Sequence, residues 1–265
     1  MPEPTIERGL GERIARTIRD IAGPPPVDLE ALAGALGVEA IRYTDLTEDG
    51  RTTWVDGKPH VDLRSDRPAA RTRFTLAHEI GHILIDADES VAHRTHGLAH
   101  DDIETLCDWI AASILMPREW VSSYARRERY TLSLLRVVAH RADVSLAAAA
   151  VRMAEVGGRT CMLLRWERAP QRWLVVGQAA VPPRYAGTLQ ATPDTSMALD
   201  AMPSRRDLWR ELTLTAGTTP LVGDAHVDRS GQTCLTLFTS LRASLRSHEL
   251  LGLSTILRAG DDGGV

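Results

Sequence analysis

Five consecutive residues hold chemistry out of proportion to their number: His78-Glu79-Ile80-Gly81-His82. On a helix, residues four apart lie on one face, one turn above the other. His78 and His82 can therefore present two ring nitrogens to a single point. That point suits a zinc ion, which takes imidazole nitrogen at roughly 2.0–2.1 Å. Glu79 lies about 100° further around the helix, where it can reach a water beside the ion without being forced to ligate it. The spacing thus places two metal ligands and one general base on a single turn. The surrounding Phe74, Leu76, Ala77, Ile80, Ile83, Leu84 and Ile85 leave this helix almost no polar side. A helix apolar all round is a buried one, and two histidines and a glutamate buried there are costly unless paired or metal-bound. Core histidines satisfied by hydrogen bonds, with Glu79 at the surface, are the weaker reading of this triplet.

Zinc needs a third protein ligand. A second helix is expected from Asp102, with Ile103, Leu106, Cys107, Ile110, Ala111, Ile114 and Leu115 on one side and Met116-Pro117 ending it. It offers Glu104, with Asp108 four residues on and on the same face, where a carboxylate could accept a ligand histidine's other N–H. Cys107 or Asp101 could ligate instead, and both acids could simply be exposed charges. His93, His96 and His100 fall in a polar stretch, Asp86 to Asp101, that reads as irregular, where solvated histidines are the better expectation.

Other elements must position these groups. Ile6, Leu10, Ile14, Ile18 and Ile21 form one apolar stripe of a surface helix, stopped by Gly23-Pro24-Pro25-Pro26. Asp28 caps a helix from Leu29 to Leu36, closed by Gly37. Val38 to Tyr43 alternates as a strand, and Arg51–Val55 with His60–Leu63 reads as a hairpin around Asp56-Gly57-Lys58-Pro59. Ser65 or Asp66 is placed to cap the helix that leads to His78. Further on, Leu132 to Glu155 has helix-turn-helix rhythm, with Ser145 as the second helix's cap. That second helix, Leu146 to Met153, is mostly alanine, and base readout needs Arg, Lys, Asn or Gln in the groove, so packing is the better expectation than DNA binding. Beyond Gly157-Gly158 the texture changes to strands: Thr160–Trp166, Arg172–Val176, Glu211–Thr215, Pro220–Val227 and Gln232–Phe238. A closing helix within Leu241–Leu257 and a disordered tail from Gly260 are expected.

The composition is that of a globular protein, 43% hydrophobic and 25% charged, long enough at 265 residues for more than one core. A net charge of −4 gives no nucleic-acid footprint. Three widely spaced cysteines, with no CxxC, suggest buried thiols in a reducing compartment rather than a disulfide framework or a zinc finger. Near Met1 no apolar core of a signal peptide is visible, and no apolar run approaches the ~20 residues of a membrane span. A cytoplasmic location is expected.

The stretch Arg73-Phe74-Thr75-Leu76-Ala77-His78-Glu79-Ile80-Gly81-His82, followed by Glu104-x-x-Cys107-Asp108-x-Ile110-Ala111-x-x-Ile114-Leu115-Met116-Pro117, resembles the ImmA/IrrE family of zinc metallopeptidases. The resemblance covers roughly residues 1–155. It departs from the family's usual second block at Cys107 for Ala, Asp108 for Asn and Ile110 for Phe, none of which removes a ligand. It implies zinc held by His78, His82 and Glu104, with Glu79 as general base. It also implies a substrate, an XRE-type helix-turn-helix repressor, whose cleavage would switch on a stress-response (DNA damage or radiation) or mobile-element regulon. The domain order resembles the IrrE-type members: a peptidase domain over residues 1–122, a helix-turn-helix-like segment over 123–157, and a GAF-like sensor over 158–265. The implied fold class is α+β, with a zincin-like, mostly helical peptidase domain holding a small sheet. A DNA-binding regulator, or a ligand-sensing module with a merely structural metal, are the rival expectations.

Overall fold

The structure is a computed structural model, and it describes residues 8–127, 130–180, 188–203, 208–217, 219–240 and 242–243. These fall into two compact units, one drawn from residues 1–123 and 138–148, the other from 124–137 and 149–265. The 123–157 segment, read from sequence as a block of its own, is shared between them. Among the described residues, no helix is long and apolar enough to cross a membrane.

In the first unit, α1 (Arg8–Thr17) buries Leu10 and Ile14, as the stripe requires. Its Gly11 lies against a later helix so closely that a Cβ would meet Trp109 Cβ at 2.9 Å. The stripe does not reach Ile21, which is 55% exposed. The helix breaks at Ile18, and a short α2 (Arg19–Ala22) follows. Asp28 caps α3 (Leu29–Ala35) by accepting from Ala31 N–H at 3.0 Å, as expected. β1 (Ala40–Thr44), β2 (Gly50–Val55) and β3 (Lys58–Arg64) form a sheet in the order β1-β3-β2. The β2–β3 hairpin turns through Asp56 and Gly57, both at positive φ, and β1 joins β3 in parallel. Among the described residues β2 is therefore an edge strand of this sheet.

α4 (Ala69–Ala87) carries the histidine motif in its middle. Its N-cap is Pro68, not Ser65 or Asp66; Asp66 is held instead by the Arg64 guanidinium at 2.6 Å. The polar stretch after it is not wholly irregular: α5 (Glu89–Thr95) forms there, with Asp88 accepting from Ser90 N–H at 2.8 Å and Val91 as its buried anchor. α6 (His100–Leu115) starts two residues earlier than expected and ends at Met116-Pro117. α4 and α6 pack face to face at Gly81, where a Cβ would sit 3.3 Å from Cys107 Cα. α7 (Arg118–Ala125), α8 (Leu132–Ala142) and α9 (Leu146–Gly157) follow, and Ser145 Oγ accepts from Ala148 N–H at 3.1 Å, which is the expected cap.

The second unit is built on an antiparallel sheet of seven strands: β4 (Met162–Arg168), β5 (Trp173–Ala179), β6 (Leu189–Ala191), β7 (Leu208–Ala216), β8 (Thr219–Ser230), β9 (Thr233–Phe238) and β10 (Arg242–Ala243). The path is β5-β4-β9-β8-β7-β6, with β10 on β8. Short β6 and the helix α10 (Pro193–Asp200), capped by Thr192, carry too weak a periodicity to be read from sequence. Trp166, Trp173, Phe238, Leu199 and Leu212 are buried together in its core. Trp166 Nε1–H donates to Thr236 Oγ1 at 2.8 Å, so the indole is buried without an orphaned donor. The expected helix within 241–257 and the tail from 260 lie outside the described residues, save 242–243, which are strand.

Candidate metal centre

The i,i+4 spacing on α4 does what the helix geometry requires: His78 Nε2 and His82 Nε2 stand 3.2 Å apart. α6 crosses opposite them and brings Glu104 to both, Oε2 at 3.2 Å from His78 Nε2 and Oε1 at 3.3 Å from His82 Nε2. Asp108, one turn on, receives His78 Nδ1 at 2.8 Å. That contact fixes the ring's orientation and leaves Nε2 facing the cluster. Burial acts to lower the His78 pKa, but the Asp108 carboxylate, together with Glu79 and Glu104, outweighs it and holds the imidazole above its ordinary value.

The three donor sets fit a metal ion. Ligands held tetrahedrally at zinc's usual distances are about 3.3–3.6 Å apart, and the spacings here are 3.2–3.3 Å. Two imidazoles and a carboxylate suit zinc and other first-row divalent ions alike. Cys107 Sγ also lies within 4.8 Å of the histidine donors. The carboxylate is the better-placed third group, because Cys107 is fully buried and burial pushes its thiol far above its ordinary pKa. A thiol must be deprotonated to ligate. Asp101 does not line the cavity over the donors.

Glu79 is 5% exposed, and its Oε2 accepts from Thr52 Oγ1–H at 2.7 Å. Thr52 sits on the edge strand β2, which α4 approaches so closely at Gly50 that a Cβ there would meet Thr75 Cγ2 at 2.4 Å and Glu79 Oε1 at 2.9 Å. Glycine at 50 thus lets the sheet edge reach Glu79. The sequence reads this strand as half of a hairpin and carries no signal for the Thr52–Glu79 bond, which depends on how β2 lies against α4.

A cavity of about 690 Å³ opens over these groups, lined by His78, Glu79, His82, Glu104, Thr52 and Trp54 among others. At one rim Asp49 is gripped by Arg71 and Arg67, whose hydrogen bonds hold its carboxyl below the usual range. His100, expected in a loop, begins α6 and lines the same cavity. Tyr130 and His140 do not line it; Tyr130 is buried and donates its OH to the Ala125 carbonyl at 3.1 Å. The arrangement offers a buried carboxylate, oriented by a hydroxyl, beside a cluster of metal donors on an open groove.

Residues 35–154 match the IrrE N-terminal-like domain family, peptidase M78. The radiation response metalloprotease IrrE of Deinococcus deserti is 36% identical over 140 residues, which span 51% of this chain and 49% of that protein. Its Deinococcus radiodurans counterpart is 38% identical over 146 residues, 51% of this chain and 42% of that protein. The chain thus spans about half the length of the curated relatives it matches. A solved structure described as a Mycobacterium tuberculosis transcriptional regulator aligns with a TM-score of 0.51 at 12% identity, covering 88% of this chain and 76% of that one, a likeness of fold. The segment that carries His78, Glu79, His82 and Glu104 is thus similar to the IrrE N-terminal-like domain and to part of two proteins described as radiation response metalloproteases.

Proposed function

We propose that the chain is a zinc-dependent endopeptidase with His78, His82 and Glu104 as metal ligands and Glu79 as general base. The observation that carries this is the pairing of Glu79 with Thr52 beside three converging donors. A purely structural metal site needs no buried, hydroxyl-oriented carboxylate next to it. Three protein ligands leave a position open, the pattern of a catalytic zinc. A divalent ion held there would act as a Lewis acid toward a carbonyl oxygen. The chain's own residues do the rest. Glu79 takes a proton from the attacking water and returns it to the leaving amine. Thr52 holds the carboxylate in line, and the free edge of β2 offers main-chain hydrogen bonds to an extended substrate segment.

As substrate we propose an XRE-type helix-turn-helix repressor, whose cleavage would release a stress-response or mobile-element regulon. The support is the family and the relatives' description as radiation response metalloproteases. We read the C-terminal unit as a GAF-like sensor, on its antiparallel sheet, its order after the helical segment and its lack of any comparable donor cluster among the described residues. The fold neighbour's description favours the rival reading, a DNA-binding regulator. Against it, Arg152 is the lone basic residue of α9, is 5% exposed, and is turned to Glu155 at 3.3 Å, leaving that helix nothing to offer a base edge.

The test co-expresses the chain with a helix-turn-helix repressor encoded beside its gene and follows the repressor's length and its promoter's output. Wild type should shorten the repressor, and Glu79→Gln, nearly isosteric but unable to take the proton, should leave it whole. Derepression by both proteins with the repressor intact would mean the chain acts by binding.

A further inference from the structure

His100 lines the cavity over the donors, and the peptidase reading gives it no part. It stands one turn before Glu104 on α6, so the two side chains share a face. Its Nε2 lies 3.9 Å from Glu104 Oε1, the oxygen that lies 3.3 Å from His82 Nε2. Each helix therefore contributes an i,i+4 pair to one place: His78 and His82 from α4, His100 and Glu104 from α6. Three neighbouring groups are already engaged or shut away. Asp108 holds His78 Nδ1, Thr52 holds Glu79, and Cys107 is buried beneath. The His100 side chain is 84% exposed, so it approaches from the open side and is free to change rotamer.

We propose that His100 is a fourth, movable donor to the metal ion, one that takes the open position while no substrate is bound. The inference rests on the metal site of the peptidase reading. Donors around a tetrahedral ion stand about 3.3–3.6 Å apart. At 3.9 Å from Glu104 Oε1, His100 Nε2 is a few tenths of an ångström beyond donor spacing from that oxygen, and a rotamer change has to supply its approach to His78 and His82. Such a swing is within what an exposed side chain samples on the picosecond-to-nanosecond scale. Four protein ligands with no open position is the closed pattern of a structural zinc. The resting protein would then hold its ion shielded from water. A substrate segment seated along β2 would have to displace the imidazole before its carbonyl could be polarised. Casual peptides, without enough contacts to compete, would leave the latch shut.

Coordination reports on this without any substrate. X-ray absorption of the zinc-loaded full chain counts imidazole ligands, and three are expected in wild type against two in His100→Ala. In cobalt-loaded protein, azide binding is followed by visible absorption. In wild type azide must displace His100; if the latch is closed about nine-tenths of the time, the apparent affinity is about tenfold weaker than in His100→Ala. His100→Gln, which keeps the bulk, should behave like the alanine variant, and an exposed position is not expected to disturb folding. Two imidazoles in wild type, or equal azide affinity in wild type and His100→Ala, overturns the inference and leaves the peptidase reading standing. A wild-type chain that takes up no ion at all overturns both.

Discussion

Glu79 and Thr52 are linked by a bond that can be removed at little cost in shape. Thr52→Val keeps the branching at Cβ and deletes the hydroxyl that donates to Glu79 Oε2 at 2.7 Å. Hydrogen bonds to charged groups contribute about 1.5–3 kcal/mol, and part of that is expressed in how well the base is aimed. If the proposed peptidase reading holds, repressor cleavage by Thr52→Val should fall on the order of tenfold, with metal content unchanged; undiminished cleavage would show that Glu79 needs no such guide. The two histidines and Glu79 are legible in sequence because the helix repeat alone sets their relation. Glu104 is not. Spacing offers Asp101, Glu104 and Cys107 on nearly equal terms, and only the resemblance, then the 3.2–3.3 Å contacts, separates them. Thr52 is hidden for the opposite reason, since nothing local ties a strand residue to a helix residue 27 positions later.

At the scale of elements, the site depends on two close approaches, one at each flank of α4. Gly50 brings the edge strand in, and Gly81 brings α6 in. Gly50→Ala would place a methyl 2.4 Å from Thr75 Cγ2, a clash with a stiff β-branched side chain on a packed helix. Overpacking of this kind costs about 1–3 kcal/mol, so the thermal midpoint should drop and Glu79 should be pushed from its place; a variant as stable and active as wild type would mean that β2 stands further off. The hairpin, α3 and the caps at Asp28 and Ser145 are readable from turn and cap chemistry. The apolar stripe that ran on to Ile21 failed because the chain breaks at Ile18, and a periodic pattern does not report a break in the backbone. α5 was hidden because a helix anchored by little more than Val91, among polar neighbours, looks like a loop.

At the scale of the whole molecule, the C-terminal unit carries a vulnerability to pH. In the C-terminal unit, Asp200 receives Arg168 Nε–H at 2.8 Å and Trp173 Nε1–H at 3.0 Å, and these, with the nearby Arg229, hold its carboxyl below the usual range. A carboxyl lowered in the folded state contributes stability that is fully present above its unfolded value and is lost as pH falls through the folded value. Urea midpoints of this unit should therefore fall between about pH 5 and pH 2 by less in Asp200→Asn than in wild type; equal slopes would mean the cluster contributes nothing. The account as a whole stands on one metal centre built by His78, His82 and Glu104. The most direct measurement is native mass spectrometry of the purified full chain, which counts ions per molecule. About one zinc is expected in wild type and in Glu79→Gln, with strong loss in His78→Ala and Glu104→Ala. Full occupancy in Glu104→Ala would contradict the account, because the third ligand would then lie elsewhere, with Cys107 next in line.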